Sequence, residues 1–421
     1  MKILFLTENF WPETNASANR VYERAVFWAK WGHDVSIITT VPNFPVGTIH
    51  EGYVNGWYQT EIINQIKVIR VKTYVSANVG VWRRTLDFLS FMVTGFCAGM
   101  FQTRPDVVGA TSPQFFSAVA GWLVSIFKRR PFVLELGDLW PASIVAVDAM
   151  KPSILIRMLE KLELFIYHRS SAIVALTPRF KENLVRRGID GDKISIVING
   201  VNLELFQKTL RDDALAASWG LQDRFVIGYV GTHGMAHGLS SVLDAASELK
   251  GDENICFLFV GDGAERERLM KRAEVEGSQN TRFVEPHPRE MVPKIWSICD
   301  LALVHLRDSP VFAEVIPSKI FEAMAMGVPI LLVTPQGIAS DIVLSTRTGV
   351  WIPSEKPDRL ATIVTKLRHK KHLLGQLSRN GIKNSVQFGR RRQAEEMLQT
   401  LEIAAAGWRN AGVSSDYRKT W

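Results

Sequence analysis

The sequence predicts an α/β protein made of two units, each a parallel sheet covered by helices on both faces. Short, continuously apolar runs that end in turn residues alternate with helical stretches, as buried parallel strands do when crossover helices join them. The alternation runs through six strands, meets a turn signal at Asn199-Gly200-Val201-Asn202, and then runs through six more. Size agrees: 421 residues with 47% apolar content can fill two sizeable cores and are too many for one.

In the first series the strands fall at residues 3–7, 35–39, 106–110, 132–136, 172–176 and 194–198. The first follows Met1-Lys2; its apolar run is too short for a signal peptide, and no small-residue cleavage site follows. Residues 19–31 read as a helix stopped by Gly32-His33. Residues 86–101 and 115–127 are long and nearly uncharged, yet each falls short of the roughly 20 residues needed to cross a bilayer. Both read as buried helices, and Arg83-Arg84 and Lys128-Arg129-Arg130 beside them suit a face that dips into an anionic membrane surface. In the second series the strands fall at 225–230, 256–260, 282–284, 300–305, 329–333 and 349–352. A helix rich in Arg, Glu and Leu begins near residue 387; it belongs to the second unit or packs back on the first, and a loose tail follows Gly407.

Composition narrows the function classes. The net charge of +8 suits anionic lipids or phosphorylated ligands. Nucleic acid is not indicated, because the basic clusters are short and lack interleaved aromatics. Cys97, Cys256 and Cys299 are widely spaced with no Cys-x-x-Cys pair, so neither a disulfide framework nor a zinc knuckle is predicted, and a reducing cytosol is the simplest compartment. The first strand lacks Gly-x-Gly-x-x-Gly, which argues against a nicotinamide enzyme.

In open α/β sheets ligands bind beyond the carboxyl ends of the strands. The segments there are Glu8-Asn9-Phe10, Ser112-Pro113 and Gly137-Asp138 in the first unit, and Gly231-Thr232-His233-Gly234, Gly261-Asp262-Gly263 and His305-Leu306-Arg307 in the second. Glu314-Val315-Ile316-Pro317-Ser318-Lys319-Ile320-Phe321-Glu322 follows the last of these. Ser318 reads as the N-cap of a short helix and Gly327 as its stop. Pro317 and Ser318 lie where the free backbone N–H groups of the helix start would then meet a diphosphate, Glu322 would accept from a ribose diol, and Glu314 would face whatever the diphosphate carries. Gly261-Asp262-Gly263 reads equally as a tight turn or as a neighbour of phosphate or base, and Asp190-Gly191-Asp192 as a turn rather than a metal site.

Together these features resemble a GT-B glycosyltransferase, most nearly the retaining family 4 group that uses nucleotide-sugar donors. Trp11-Pro12-Glu13, Gly32-His33-Asp34-Val35 and Asn199-Gly200-Val201-Asn202 are typical of that family. Pro42-Asn43-Phe44-Pro45, Asp138-Leu139-Trp140-Pro141, Pro317-Ser318-Lys319 and Glu322-Ala323-Met324-Ala325 are similar to a bacterial subgroup, such as the fucosamine transferases, that transfers amino- or deoxy-sugars in O-antigen, capsule or exopolysaccharide assembly.

The resemblance implies two Rossmann-like domains facing across a cleft: residues 1–202 for the acceptor, 203–386 for the nucleotide-sugar, and 387–421 as C-terminal helix and tail. It implies Glu314 as catalytic, beside the reacting carbon, and Glu322 on the ribose. Asp138 is a second catalytic candidate that could equally cap a helix near Pro141. Ile316, Pro317, Ser318 and Lys319 would hold the phosphates, with Gly231, Gly261 and Asp262 close by. Thr232 and His237 stand where the family often has an Arg and a Lys, so Lys319 or Arg307 would supply the missing charge. Gly137 stands where the family often has a His that bonds the donor's 6-hydroxyl, which fits a 6-deoxy sugar. Asn15 stands where Gly is common and would keep a left-handed loop; with Ala16 and Ser112 it would face the acceptor. The donor would be UDP-linked with no obligatory metal or other cofactor, and the acceptor a saccharide on undecaprenyl diphosphate. The protein would attach peripherally to the inner face of the cytoplasmic membrane. A non-catalytic GT-B scaffold or a nucleotide-sugar epimerase is the alternative.

Overall fold

A computed structural model describes residues 1–13, 15–44, 47–75, 81–112, 115–139 and 154–413. They form two compact units, residues 1–199 with 391–413, and residues 200–390.

The first unit holds an eight-stranded sheet in the order β3-β4-β2-β1-β5-β6-β7-β8. Its strands are β1 (Lys2–Leu6), β2 (Asp34–Thr40), β3 (Tyr58–Ile63), β4 (Ile66–Val71), β5 (Val107–Thr111), β6 (Phe132–Leu136), β7 (Ala172–Ala175) and β8 (Ile194–Ile196). All pairings are parallel except β3 with β4. This hairpin was not foreseen. Its outer strand alternates between exposed and half-buried residues instead of running apolar, and its two-residue turn, Asn64-Gln65, reaches positive φ without the expected glycine.

Helix Arg390–Val413 settles the open question of where the C-terminal helix packs. Ala394, Met397, Leu398, Leu401 and Ala405 recur at helical spacing and join Ile3, Phe5 and Trp28 in the core of the first unit. The Trp28 indole N–H donates to the Ala394 carbonyl at 2.9 Å.

Helices Val81–Phe101 and Phe115–Lys128 belong to the same unit, with Phe96 and Phe127 meeting edge to face at 5.5 Å. Among the described residues no helix is long and apolar enough to cross a membrane. Lys128 differs from the expected membrane-facing cation: its ammonium donates to the Met100 and Gln102 carbonyls, both at 2.7 Å, and so caps the end of the preceding helix. Arg83 and Arg129 are exposed, as are Phe101 (82%) and Phe127 (61%).

The second unit is a six-stranded, wholly parallel sheet in the order β11-β10-β9-β12-β13-β14. Its strands are β9 (Phe225–Val230), β10 (Ile255–Val260), β11 (Thr281–Val284), β12 (Leu301–His305), β13 (Ile330–Val333) and β14 (Gly349–Ile352). They lie within a residue or so of the sequence expectation, because strands buried on both faces leave an unbroken apolar signal. From β9 the chain winds outward to β10 and β11, then returns to β12 on the other side of β9. The carboxyl ends of β9 and β12 are thus the topological switch point, where such sheets leave a crevice for ligands.

Candidate functional site

The segments leaving β9 and β12 meet the start of helix Lys319–Met326 at this switch point. The helix ends as predicted, with Gly327 in the left-handed conformation at φ 66°. Its start differs. Ser318 already has helical backbone (φ −60°, ψ −27°), and its side chain makes no capping bond. The Pro317 and Ser318 carbonyls accept from Ile320 and Phe321 at 3.1 and 3.0 Å, which leaves the amides at the head of the helix directed to its N-terminal end. Ile316 and Pro317 are buried and fix this entry.

Lys319 is the central charge. It is only 8% exposed, yet its ammonium makes no hydrogen bond and sits over the Tyr229 ring, 3.5 Å from the centroid. Burial pulls its pKa from the ordinary 10.5 to about 7, opposed by the Glu322 carboxylate one turn along. The Tyr229 hydroxyl donates to the Thr232 carbonyl at 2.6 Å, which fixes the ring beneath the ammonium. Gly231 is called for by its backbone, at φ 136°, and a Cβ there would lie 3.2 Å from the Lys319 nitrogen.

The histidines nearby are neutral. Burial, with the Lys319 charge adding to it, pushes His233 and His237 down to about 3; burial also pushes His305 down to about 4. His237 and His305 each place Nδ1 against the other's backbone carbonyl, at 3.3 and 2.6 Å. Those carbonyls require the proton on Nδ1, so Nε2 is a lone pair. His237 thus presents a neutral ring to the loop after β9, and Lys319 is the buried cation beside it.

Gly261-Asp262-Gly263 is the tight turn. A Cβ at Gly261 would run into the Gly231 carbonyl oxygen, the Asp262 carboxylate accepts from the Gly263 N–H at 2.7 Å, and the Asp262 carbonyl accepts from the His233 N–H at 2.8 Å. These residues clamp the loop after β9. Arg307 is tied to the same loop, its N–H donating to the Ala236 carbonyl at 2.9 Å.

Glu314 ends a 3-10 turn, Pro310–Glu314, after β12. That turn presses on Gly337 so closely that a Cβ at Gly337 would strike the Ala313 carbonyl. Glu322 lies in the first turn of its helix. One carboxylate oxygen is 3.3 Å from Arg289 Nη1, and the other accepts from the Trp296 indole N–H at 3.5 Å.

In the first unit, Asn15 is the N-cap of helix Ala16–Lys30 and accepts from the Ala18 N–H at 2.9 Å. Its backbone is extended (φ −69°), not left-handed, because capping requires that conformation. Ala16 is the first helical residue. Ser112, at the end of β5, accepts from the Gly137 N–H at 3.3 Å. A Cβ on Gly137 would collide with the Ser112 carbonyl and approach Arg20, so backbone crowding accounts for this glycine without reference to a sugar hydroxyl. The Asp138 carboxylate accepts from the Leu139 N–H at 2.8 Å; the expected helix near Pro141, with Trp140, lies outside the described residues, as do Pro45 and Pro113. Beneath these loops Glu135 is fully buried between Arg20 (2.9 Å) and Arg24 (2.7 Å), and the two guanidiniums hold its pKa at about 2 against the opposing effect of burial. Asp190 accepts from the Asp192 N–H at 2.9 Å, as a turn residue does.

Tyr229, Arg289, Trp296 and Gly337 were not anticipated, and His305 was read only as part of a strand-end segment. The only sequence signal was for His305, which stands at a strand end; the others act through contacts between distant segments.

The second unit matches the family of glycosyl transferases group 1 over residues 212–384, and the first matches glycosyltransferase family 4 over residues 17–205. A putative colanic acid biosynthesis glycosyl transferase, WcaI of Escherichia coli, is 27% identical over 341 residues, spanning 78% of this chain and 82% of its own. Among solved structures, sucrose-phosphate synthase from Thermosynechococcus elongatus superposes with a TM-score of 0.79 at 17% identity, over 96% of this chain and 99% of its own. HepE of Anabaena, solved with UDP-glucose, superposes with a TM-score of 0.71 at 17% identity, over 96% and 100%. With both halves matched in order and the two-sheet architecture in place, the chain belongs to the family 4 glycosyltransferases of GT-B fold.

Proposed function

We propose that this glycosyltransferase moves a sugar from a UDP-linked donor to a saccharide carried on undecaprenyl diphosphate, with retention at the anomeric carbon, in the assembly of a cell-surface polysaccharide. The observation that carries the reading is Lys319. A buried ammonium with no hydrogen-bond partner, at the head of a helix and at a strand switch point, is a place made for an anion. A diphosphate supplies the acceptors that Lys319 lacks. HepE, a structural neighbour, was solved with UDP-glucose, which supports a uridine donor, and the E. coli relative's name supports surface polysaccharide. The family resemblance supports an amino- or 6-deoxy-sugar.

In this reading the departing diphosphate is stabilised by Lys319 and the helix head, and Glu322 accepts from the ribose hydroxyls. The departing phosphate oxygen takes the acceptor's proton on the same face of the sugar. Glu314 supports the positive charge that develops at the anomeric carbon and forms no covalent bond to it. No metal is assigned a role. The first unit would meet an anionic inner membrane surface through Phe101 and Phe127, with Arg83 and Arg129 among the exposed cations of the same two-helix region.

Release of nucleoside diphosphate from a panel of UDP-, GDP- and dTDP-sugars tests the reading, with vesicles containing an undecaprenyl-diphosphate saccharide as acceptor and with EDTA present. Turnover with a UDP-sugar, and an α-linked product from an α-linked donor, is expected. Sugar rearrangement without transfer, or tight nucleotide binding without turnover on any acceptor, would refute it.

A further inference from the structure

Glu322 does not stand alone. Arg289 begins a 3-10 turn, Arg289–Met291, in the segment after β11, and its guanidinium meets one carboxylate oxygen at 3.3 Å. Trp296, fully buried in helix Val292–Ser297, directs its indole N–H to the other oxygen at 3.5 Å. The Arg289 guanidinium lies over the buried Phe206 ring, 5.1 Å from its centroid, which restrains the donor as well as the acceptor. Both side chains of the ion pair are mostly shielded, at 16% and 13% exposure.

A carboxylate offers about four lone-pair sites. Arg289 and Trp296 engage one on each oxygen, and both contacts are at the long end of the hydrogen-bond range. Each oxygen therefore keeps one site, and the group is oriented but not saturated. Two remaining acceptor sites on neighbouring oxygens match the two hydroxyls of a vicinal diol.

We infer that Arg289 is a positioning residue that sets nucleotide specificity: it orients Glu322 to accept both hydroxyls of a ribose, so that the site selects ribonucleoside diphosphates over 2′-deoxyribonucleoside diphosphates. The inference rests on Glu322 being the ribose carboxylate, as proposed above. Without Arg289 the carboxylate swings about its own torsions, and the second hydroxyl loses its partner while the diphosphate contacts at Lys319 persist.

The test is calorimetric binding of UDP and 2′-deoxy-UDP to the full chain, as wild type, Arg289→Met, Arg289→Lys and Glu322→Gln, with donor KM and kcat measured alongside. Wild type is expected to prefer UDP by about tenfold or more, the order of one lost hydrogen bond to a charged group. Arg289→Met is expected to bind 2′-deoxy-UDP within about twofold of wild type but to prefer UDP by no more than about twofold, and to raise donor KM more than it lowers kcat. Arg289→Lys should restore part of the preference. If wild type does not discriminate, the ribose role of Glu322 fails and the inference with it. If wild type discriminates and Arg289→Met discriminates equally, the inference alone is overturned. It is also overturned if a folded Arg289→Met loses both nucleotides alike, since Arg289 would then touch the nucleotide directly. Should Arg289→Met not fold, Phe206→Leu loosens Arg289 without touching Glu322; an unchanged UDP preference in that variant overturns the inference.

Discussion

Donor binding should weaken as pH rises through neutrality, and Lys319 should be the cause. With its pKa at about 7 in the ligand-free protein, Lys319 is almost fully charged at pH 6 and about one-tenth charged at pH 8. If only the charged form binds a diphosphate, apparent Kd is the intrinsic value divided by the charged fraction, and affinity falls about tenfold between pH 6 and pH 8. The groups around the ammonium do not blur this window. His233, His237 and His305, at about 3, 3 and 4, stay neutral throughout, and burial keeps the Tyr229 phenol well above its ordinary range. A UDP-sugar is the right probe, because both its phosphates are ionised across the range, whereas UDP itself titrates. Titration calorimetry at pH 6, 7 and 8 in buffers of different ionisation enthalpy reads both affinity and proton uptake. At pH 8 about 0.9 proton should be taken up per donor bound, provided the bound lysine is restored to near its ordinary pKa. Lys319→Arg, charged at every pH, should bind with a flat profile and no uptake. A flat wild-type profile, or a slope that survives in Lys319→Arg, would refute the reasoning.

The same lysine strains the free protein: its folded pKa lies below the unfolded one, so the unfolded chain holds the extra proton between pH 7 and 10.5 and the penalty, about 5 kcal/mol below pH 7, fades as pH rises through that window. Lys319→Met should therefore raise the melting temperature at pH 6 and lose that advantage near pH 10, while weakening donor binding at both. Glu135 has the opposite sign: its pKa of about 2 against an ordinary 4.5 contributes about 3 kcal/mol at neutral pH, lost as pH falls from about 4.5 to 2. Glu135→Gln, which leaves two buried guanidiniums without their counter-charge, should lower stability by about 3–5 kcal/mol in chemical denaturation. Gly337→Ala should push the Glu314 turn aside and lower kcat by about tenfold or more with donor Kd nearly unchanged; equal losses in both would show that the turn also shapes the donor site. Glu314→Ala that keeps near-full turnover would remove Glu314 from the mechanism.

What the sequence made legible follows from physics that is local. The strands of the second sheet are apolar on both faces and needed no tertiary information. The hairpin β3–β4 at the sheet edge has one half-exposed strand, so its signal was diluted. The C-terminal helix showed an apolar face, but a face does not say which sheet it covers; the contacts of Trp28 with Ala394 do. At the site, the glycines at strand ends and the Gly327 stop of the short helix were readable, since backbone crowding and helix ends impose residue types on short segments. The reasons were less readable. Gly231 takes a backbone conformation, φ 136°, that L side chains rarely adopt, and Gly137 yields to the Ser112 carbonyl. Asn15 was expected to be left-handed and instead caps a helix. Arg289 reaches Glu322 across 33 residues with no motif between them, and pairings of that kind exist only in the folded chain.

The central claim is that Lys319, over Tyr229 at the head of its helix, is the diphosphate grip of a nucleotide-sugar site. A crystal structure of the protein with an intact UDP-sugar tests it most directly. The account predicts a diphosphate oxygen within about 3 Å of the Lys319 ammonium, in hydrogen-bond range, with the ribose hydroxyls on Glu322. A diphosphate bound elsewhere, with Lys319 still unpaired over the Tyr229 ring, would contradict it.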